Sequence, residues 1–228
     1  MDKLSFIQEL EKQNIKLNSQ QINQFEFYYY FLISENQKYN LTSLTSEEEV
    51  YEKHFYDSLS LLFKQELKGS VLDVGSGGGF PGLPLKIVKP DLDLTILDST
   101  ARKIDFVQSL SKKINLQIQT VVARAEEYDK TFDYVLARGL APLNILLELC
   151  CNLVKKGGIL IAMKGAKYQE ELVKAKKAID TLGYKLINKE EYLLPSEQSK
   201  RCNLYFIKEK DHGLKYPRNY AKIKKQSL

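Results

Sequence analysis

Two hydrophobic periodicities divide the chain. In residues 1–65 apolar side chains recur three and four positions apart, at Phe6, Ile7, Leu10 and Ile15 and again at Ile22, Phe25, Tyr29, Leu32 and Ile33, the spacing that lines one face of a helix. The segment NLTSLTSEEEV breaks this register, and Thr45 and Ser46 ahead of three glutamates predict a helix start. HFYDSLSLLF then resumes helical spacing. From residue 70 the period changes to short apolar runs: VLDVG (71–75), LTILD (94–98), IQTVVA (118–123), YVLAR (134–138) and ILIAMK (159–164). Stretches that can be helical, such as ARKIDFVQSLSKKI and PLNILLELCCNLV, separate them. Strands apolar on both faces and alternating with helices predict a parallel sheet covered on both sides. After a helix over 167–182, YKLINKEEYLL and NLYFIKEK are joined by a polar link too short for a crossover, which predicts an antiparallel hairpin at the sheet edge.

The pattern therefore predicts an α/β fold with a mostly parallel, seven-stranded sheet. Its parts are a helical extension (1–67), a sheet domain (68–209) and a tail (210–228). Composition adds the exclusions: 43% hydrophobic and 28% charged residues with 12 Gly and 6 Pro rule out a disordered or collagen-like chain. MDKLSFIQELEKQNIKLN alternates charge and apolarity without a signal-peptide core, and no later run is long enough for a bilayer. Three cysteines, an adjacent pair (Cys150, Cys151) and a distant Cys202, offer neither a disulfide framework nor zinc-ligand spacing. A cytoplasmic, monomeric protein without a metal or membrane partner is expected. Charge is placed unevenly. The net +5 resides in residues 210–228, where Lys210, Lys215, Arg218, Lys222, Lys224 and Lys225 face one acid, Asp211. A basic tail on a neutral body suits a nucleic-acid partner, although a solvated lysine-rich tail is the plainer reading.

The candidate chemistry sits after the first strand, in Asp73-Val74-Gly75-Ser76-Gly77-Gly78-Gly79-Phe80-Pro81-Gly82. Glycines at a strand-to-helix turn let the backbone approach a ligand where open α/β sheets bind nucleotides. Asp98 ends the next strand and is placed to accept hydrogen bonds from a ribose diol. A P-loop fails because Gly-Phe-Pro-Gly stands where Gly-Lys-Ser/Thr is needed. A dinucleotide fingerprint fits formally at Gly77, Gly79 and Gly82, but Pro81 and Pro84 remove N–H donors that a pyrophosphate requires. S-adenosylmethionine, which carries no phosphate, is favoured, with Asp73, Asp98 and Ala125-Glu126 in the order it needs.

These segments closely resemble a known family. NLTSLTSEEEVYEKHFYDSLSLL, LDVGSGGGFPGLPLKIVKPDLDLTILDSTARKIDFV, ARAEEY, FDYVLARGLAPL and the strand end MKG are similar to the bacterial 16S ribosomal RNA guanine-N7 methyltransferases, the glucose-inhibited division protein B family. The resemblance runs from about Asn40 onward; GFPGLP and the ARG tripeptide make it specific. It implies a Rossmann-like class I methyltransferase sheet with an N-terminal helical extension. It further implies S-adenosylmethionine as cofactor and, as substrate, N7 of guanosine 527 in the 530 loop of 16S rRNA, free or in the 30S subunit. The implied cofactor contacts are Gly75, Phe80, Ala125, Glu126 and Arg138, beside Gly77 and Asp98 of the loop reading. Lys215-Tyr216-Pro217-Arg218 also matches the family tail, which this chain then leaves, with Ala221 or a neighbour in place of the usual glycine and no proline near the end.

N7 of guanine carries a free lone pair, so its methylation needs no proton abstracted. Accordingly the sequence names no obligatory catalytic side chain. Arg138, His54, Asp57 and Lys164 are the candidates. A His one helical turn from an Asp, as His54 is from Asp57, is more often a local structural pair, and Lys164 reads nearly as well as a snorkelling strand-end lysine. Arg124, Lys164, Arg201, Lys215 and Arg218 are the candidate RNA contacts. Phe25, Phe27 and Tyr28–Tyr30 have the spacing of core residues rather than of a base-stacking platform. A small-molecule methyltransferase and an RNA-binding protein with a vestigial pocket are the competing expectations.

Overall fold

The computed structural model describes residues 1–64, 66–211, 213 and 215–228. Asp2 opens α1 (Lys3–Lys12) by accepting from the Ser5 amide at 2.8 Å, and Asn18 and Gln21 cap each other's backbone at the start of α2 (Ser19–Tyr39). Ser46 caps α3 (Glu47–Glu49), as the Thr45-Ser46 signal predicts. The following helix is not wound as α. Val50–Tyr56 is a π-helix, continued by α4 (Asp57–Leu59) and a 3-10 turn, Ser60–Leu62. Residues four apart, such as Tyr51 and Phe55, stay neighbours in either winding, so that spacing does not distinguish them.

Strands and helices then alternate: β1 (Ser70–Val74), α5 (Gly82–Val88), β2 (Asp93–Asp98), α6 (Ala101–Lys113), β3 (Gln119–Val122), β4 (Phe132–Arg138), α7 (Leu143–Leu149), β5 (Val154–Gly165), α8 (Tyr168–Thr181), β6 (Tyr184–Leu193), β7 (Lys200–Lys208) and α9 (Tyr220–Lys225). Between β3 and β4 the link carries only a 3-10 turn, Ala125–Glu127, in place of a helix. The sheet order is β3-β2-β1-β4-β5-β7-β6. β1 to β5 run parallel, and β6 and β7 form the predicted antiparallel hairpin, with β7 beside β5 and β6 at the edge.

Each sheet face is sealed by its own apolar cluster. The N-terminal helices pack Phe6, Phe25, Tyr28 and Phe55 with Leu83, Phe106 and Leu110 against one; α7 and α8 pack Leu143, Leu147, Ala175 and Ala178 against the other. Of the aromatic run on α2, Phe25 and Tyr28 are buried, whereas Phe27 and Tyr30 are exposed. The tail is folded onto this second layer. Ile223 is fully buried and α9 packs on α7; residues 212 and 214 of the tail lie outside the described ones. No helix among the described residues is long and apolar enough to cross a membrane, and no His, Cys, Asp and Glu group among them is arranged to hold a metal.

Candidate functional site

The strand order reverses at β1, and ligand crevices of open α/β sheets form at the carboxyl ends of the strands at such a point. Two cavities lie there, sharing Gly139 and Leu140 as a common wall. The first, about 370 Å³, is lined by Gly75, Asp98, Ser99, Arg124, Ala125, Glu126 and Tyr220. Gly75 closes β1 with φ +69°, donating to the Leu97 carbonyl at 2.7 Å. A Cβ on it would lie 2.6 Å from Leu140 Cδ1. Asp98 presents its carboxylate into the loop, accepting from the Gly77 amide at 3.1 Å and the Thr100 amide at 2.9 Å. Asp73 is fully buried and accepts from the Gly82 amide at 2.7 Å; burial pushes its carboxyl up to about 6. The Ser76 hydroxyl beside the carboxylate works against that rise.

The second cavity, about 650 Å³, is lined by Lys53, His54, Asp57, Arg138, Met163, Lys164, Glu171, Tyr192 and Arg201. Arg138 organises it. Its Nη1 donates to Asp57 Oδ2 at 2.8 Å and to the Lys53 and His54 carbonyls at 3.0 and 3.3 Å. Its guanidinium lies 5.2 Å over the Phe80 ring. In the wider π turn the Asp57 amide reaches back to the Glu52 carbonyl, and π turns recur at functional sites because they re-aim backbone and side chains. Asp57 also holds Arg201 at 3.3 Å and accepts from the Tyr192 hydroxyl at 2.9 Å, so the edge hairpin is tied to the helical extension. Lys164 donates to Glu171 and to the Ala141 carbonyl, both at 2.8 Å.

His54 stacks on Phe80, ring centroids 4.3 Å apart. Its Nδ1 lies 3.1 Å from Arg138 Nη2, a pure donor, so Nδ1 must accept; the ring proton is thereby assigned to Nε2, which faces Thr42 Oγ1 at 2.8 Å. Burial, and then the Arg138 charge, hold the imidazole down to about 3. The unfolded ring takes a proton near its ordinary 6.5, so the contribution of neutral His54 to stability is complete above pH 6.5 and is lost as pH falls towards 3. Asp73 works in the opposite sense, its contribution lost as pH rises through about 6. The stability difference between the parent and His54→Gln should therefore fall by up to about 1.4 kcal/mol per pH unit as pH drops from 6.5 to 4. Urea titrations at half-unit intervals of pH read this directly, and parallel curves would refute the neutral assignment.

Residues 21–199 match the family model GidB, described as rRNA small subunit methyltransferase G. The chain belongs to this family. Named relatives agree over the full length. "Ribosomal RNA small subunit methyltransferase G" of Halalkalibacterium halodurans is 41% identical, with 100% of both chains covered; that of Lactobacillus helveticus is 44% identical over 96% of this chain and 95% of its own. Solved structures share the fold at low identity. A methyltransferase from Pyrococcus furiosus has a TM-score of 0.56 and 15% identity, covering 82% of this chain and 98% of its own. TYW2 from M. jannaschii, in complex with AdoMet, has a TM-score of 0.55 and 16% identity over 68% and 76%.

In this methyltransferase the sequence-predicted residues separate into distinct places. Gly75, Asp98, Ala125 and Glu126 line the first cavity, with Gly77 bonded to Asp98 behind it. Phe80 does not line it: the ring is sandwiched between Tyr28, at 5.2 Å, and His54. Arg138, His54, Asp57, Lys164 and Arg201 all meet in the second cavity. Among the proposed RNA contacts, Arg124 and Lys215 are exposed, whereas Arg218 is drawn inward onto the buried Glu148 carboxylate, with two bonds of 2.6 Å. Sequence reasoning missed Tyr192, Glu171, Lys53, Leu140 and Tyr220. Lys53 and Leu140 lie inside the segments that carry the resemblance, whereas Tyr192, Glu171 and Tyr220 lie outside them and reach the site only through packing.

Proposed function

We propose that the protein transfers a methyl group from S-adenosylmethionine to N7 of guanosine 527 in the 530 loop of 16S rRNA, free or in the 30S subunit. The single observation that carries this reading is the pair of cavities meeting at Gly139–Leu140, the second of them without an available base. His54 is held neutral with Nδ1 engaged by Arg138. Asp57 is occupied by Arg138, Arg201 and Tyr192, and Glu171 by Lys164. A nucleophile that must first lose a proton is poorly served there, whereas guanine N7 presents its lone pair unprotonated.

The residues of the first cavity fit the cofactor. Gly75 leaves room that any Cβ would fill, and Asp98 offers a carboxylate suited to a ribose diol. S-adenosylmethionine, when bound, supplies an electrophilic sulfonium methyl. The protein's task is then positional. Gly75 and Asp98 hold one reactant, Arg138 and His54, packed on the Phe80 ring, form a fixed wall for the other, and Leu140 stands at the junction. Holding two reactants in line accounts for much of the rate where no proton moves.

Nucleoside mapping of 16S rRNA by mass spectrometry, from cells with and without the gene, tests the proposal. Loss of one 7-methylguanosine in the 530 loop, restored by the purified protein with labelled cofactor, is the expected result. An unchanged map would remove the RNA substrate and leave a methyltransferase acting on a small molecule.

A further inference from the structure

The C-terminal segment carries an aromatic residue to the cofactor cavity. Tyr220, the first residue of α9, lines that cavity beside Ala125, Glu126 and Leu149 and keeps 39% of its surface exposed. Its backbone is tightly placed. Two residues before it, Arg218 binds Glu148 through its amide at 3.2 Å and through Nε and Nη2 at 2.6 Å. Glu148 is fully buried on α7, immediately before the cavity residue Leu149. Three residues after it, Ile223 is fully buried. Asn219 caps α9, accepting from the Lys222 amide at 3.0 Å. A side chain so flanked is held at the cavity rim, not drifting with a solvated tail.

We infer that Tyr220 is part of the cofactor site and stacks its ring on the adenine of S-adenosylmethionine. The inference rests on the cofactor reading given above. Asp98, at the end of β2, marks the ribose, and Ala125-Glu126, just past the end of β3, marks the base beyond it, which is where Tyr220 stands. A purine offers its face to an aromatic ring, and a phenol ring loses little rotamer freedom in stacking. The tail's basic charge and its aromatic residue thus serve different ends: Arg218 anchors the segment, and Tyr220 meets the cofactor.

Point variants of the full chain test this, because deleting the tail would also strip Ile223 from the core. Calorimetric titration with S-adenosylmethionine and S-adenosylhomocysteine should give roughly tenfold weaker binding for Tyr220→Ala and nearly parental binding for Tyr220→Phe. The chain contains no tryptophan, so Tyr220→Trp installs a unique reporter whose emission should quench saturably as cofactor is added. Circular dichroism melts confirm that each variant is folded. A parent that binds no S-adenosylmethionine would overturn the cofactor reading and this inference with it. A parent that binds, with Tyr220→Ala equal to it and the tryptophan silent, would overturn this inference alone. So would a loss of RNA affinity at unchanged cofactor affinity.

Discussion

Arg138→Ala should abolish methyl transfer and lower stability by about 3 kcal/mol. The arginine makes one ion pair, two bonds to carbonyls and one to the His54 ring, and it covers Phe80. Only 15% of its side chain and 6% of that of Asp57 are exposed. Removing it leaves a buried carboxylate short of its closest cation, the circumstance in which a lost partner costs most. Arg201 and Tyr192 remain on Asp57, which keeps the loss at the lower end of that range. Arg138→Lys should not restore activity, since one ammonium cannot reproduce a planar fork that bonds a carboxylate, two carbonyls and an imidazole together. Urea unfolding with unchanged m-value, alongside single-turnover methylation, separates the two effects. A stable, active Arg138→Ala protein would show that the second cavity is not the substrate site.

Gly75→Asp should weaken cofactor binding at least about a hundredfold. The left-handed φ of +69° is strained for any residue with a Cβ, by about 1–2 kcal/mol. That Cβ would also press against Leu140 at 2.6 Å, and the carboxylate would enter the cavity beside Asp98. Gly75→Ala isolates the steric part, and Leu140→Ala introduced with it removes the side chain in the way. The double-mutant cycle should recover part of the affinity while the backbone strain remains. Equal titration curves for parent and Gly75→Asp would place the cofactor elsewhere.

Both predictions depend on relations that are unequally legible in the chain. The glycine loop and Asp98 are local signals: a turn tight enough to require glycine, and an acid at the end of the next apolar run. The hub around Arg138 is not local. Asp57, His54, Tyr192 and Arg201 occupy two separate segments, and a helical His–Asp spacing gives no sign that a π turn aims both at an arginine more than eighty residues away. Arg218 was legible as a charge, but its partner Glu148 is the one charged residue of a mostly apolar helix, so the tail's outward appearance in sequence conceals an inward anchor.

By itself the sequence determined the α/β architecture with helices on both faces of the sheet, the parallel order broken by an edge hairpin, the glycine loop and the acid that ends the next strand. Those features follow from periodicity and turn chemistry, which act between near neighbours. Only the tertiary structure decided that two cavities share Leu140, that His54 Nδ1 faces Arg138, that the Phe80 ring stacks on His54, and that Tyr220 lines the first cavity. These depend on how helices and hairpin settle against the sheet. Burial and pairing across 81 residues for Arg138 with Asp57 and 70 for Arg218 with Glu148 are set by packing, to which the local pattern of apolar positions is blind.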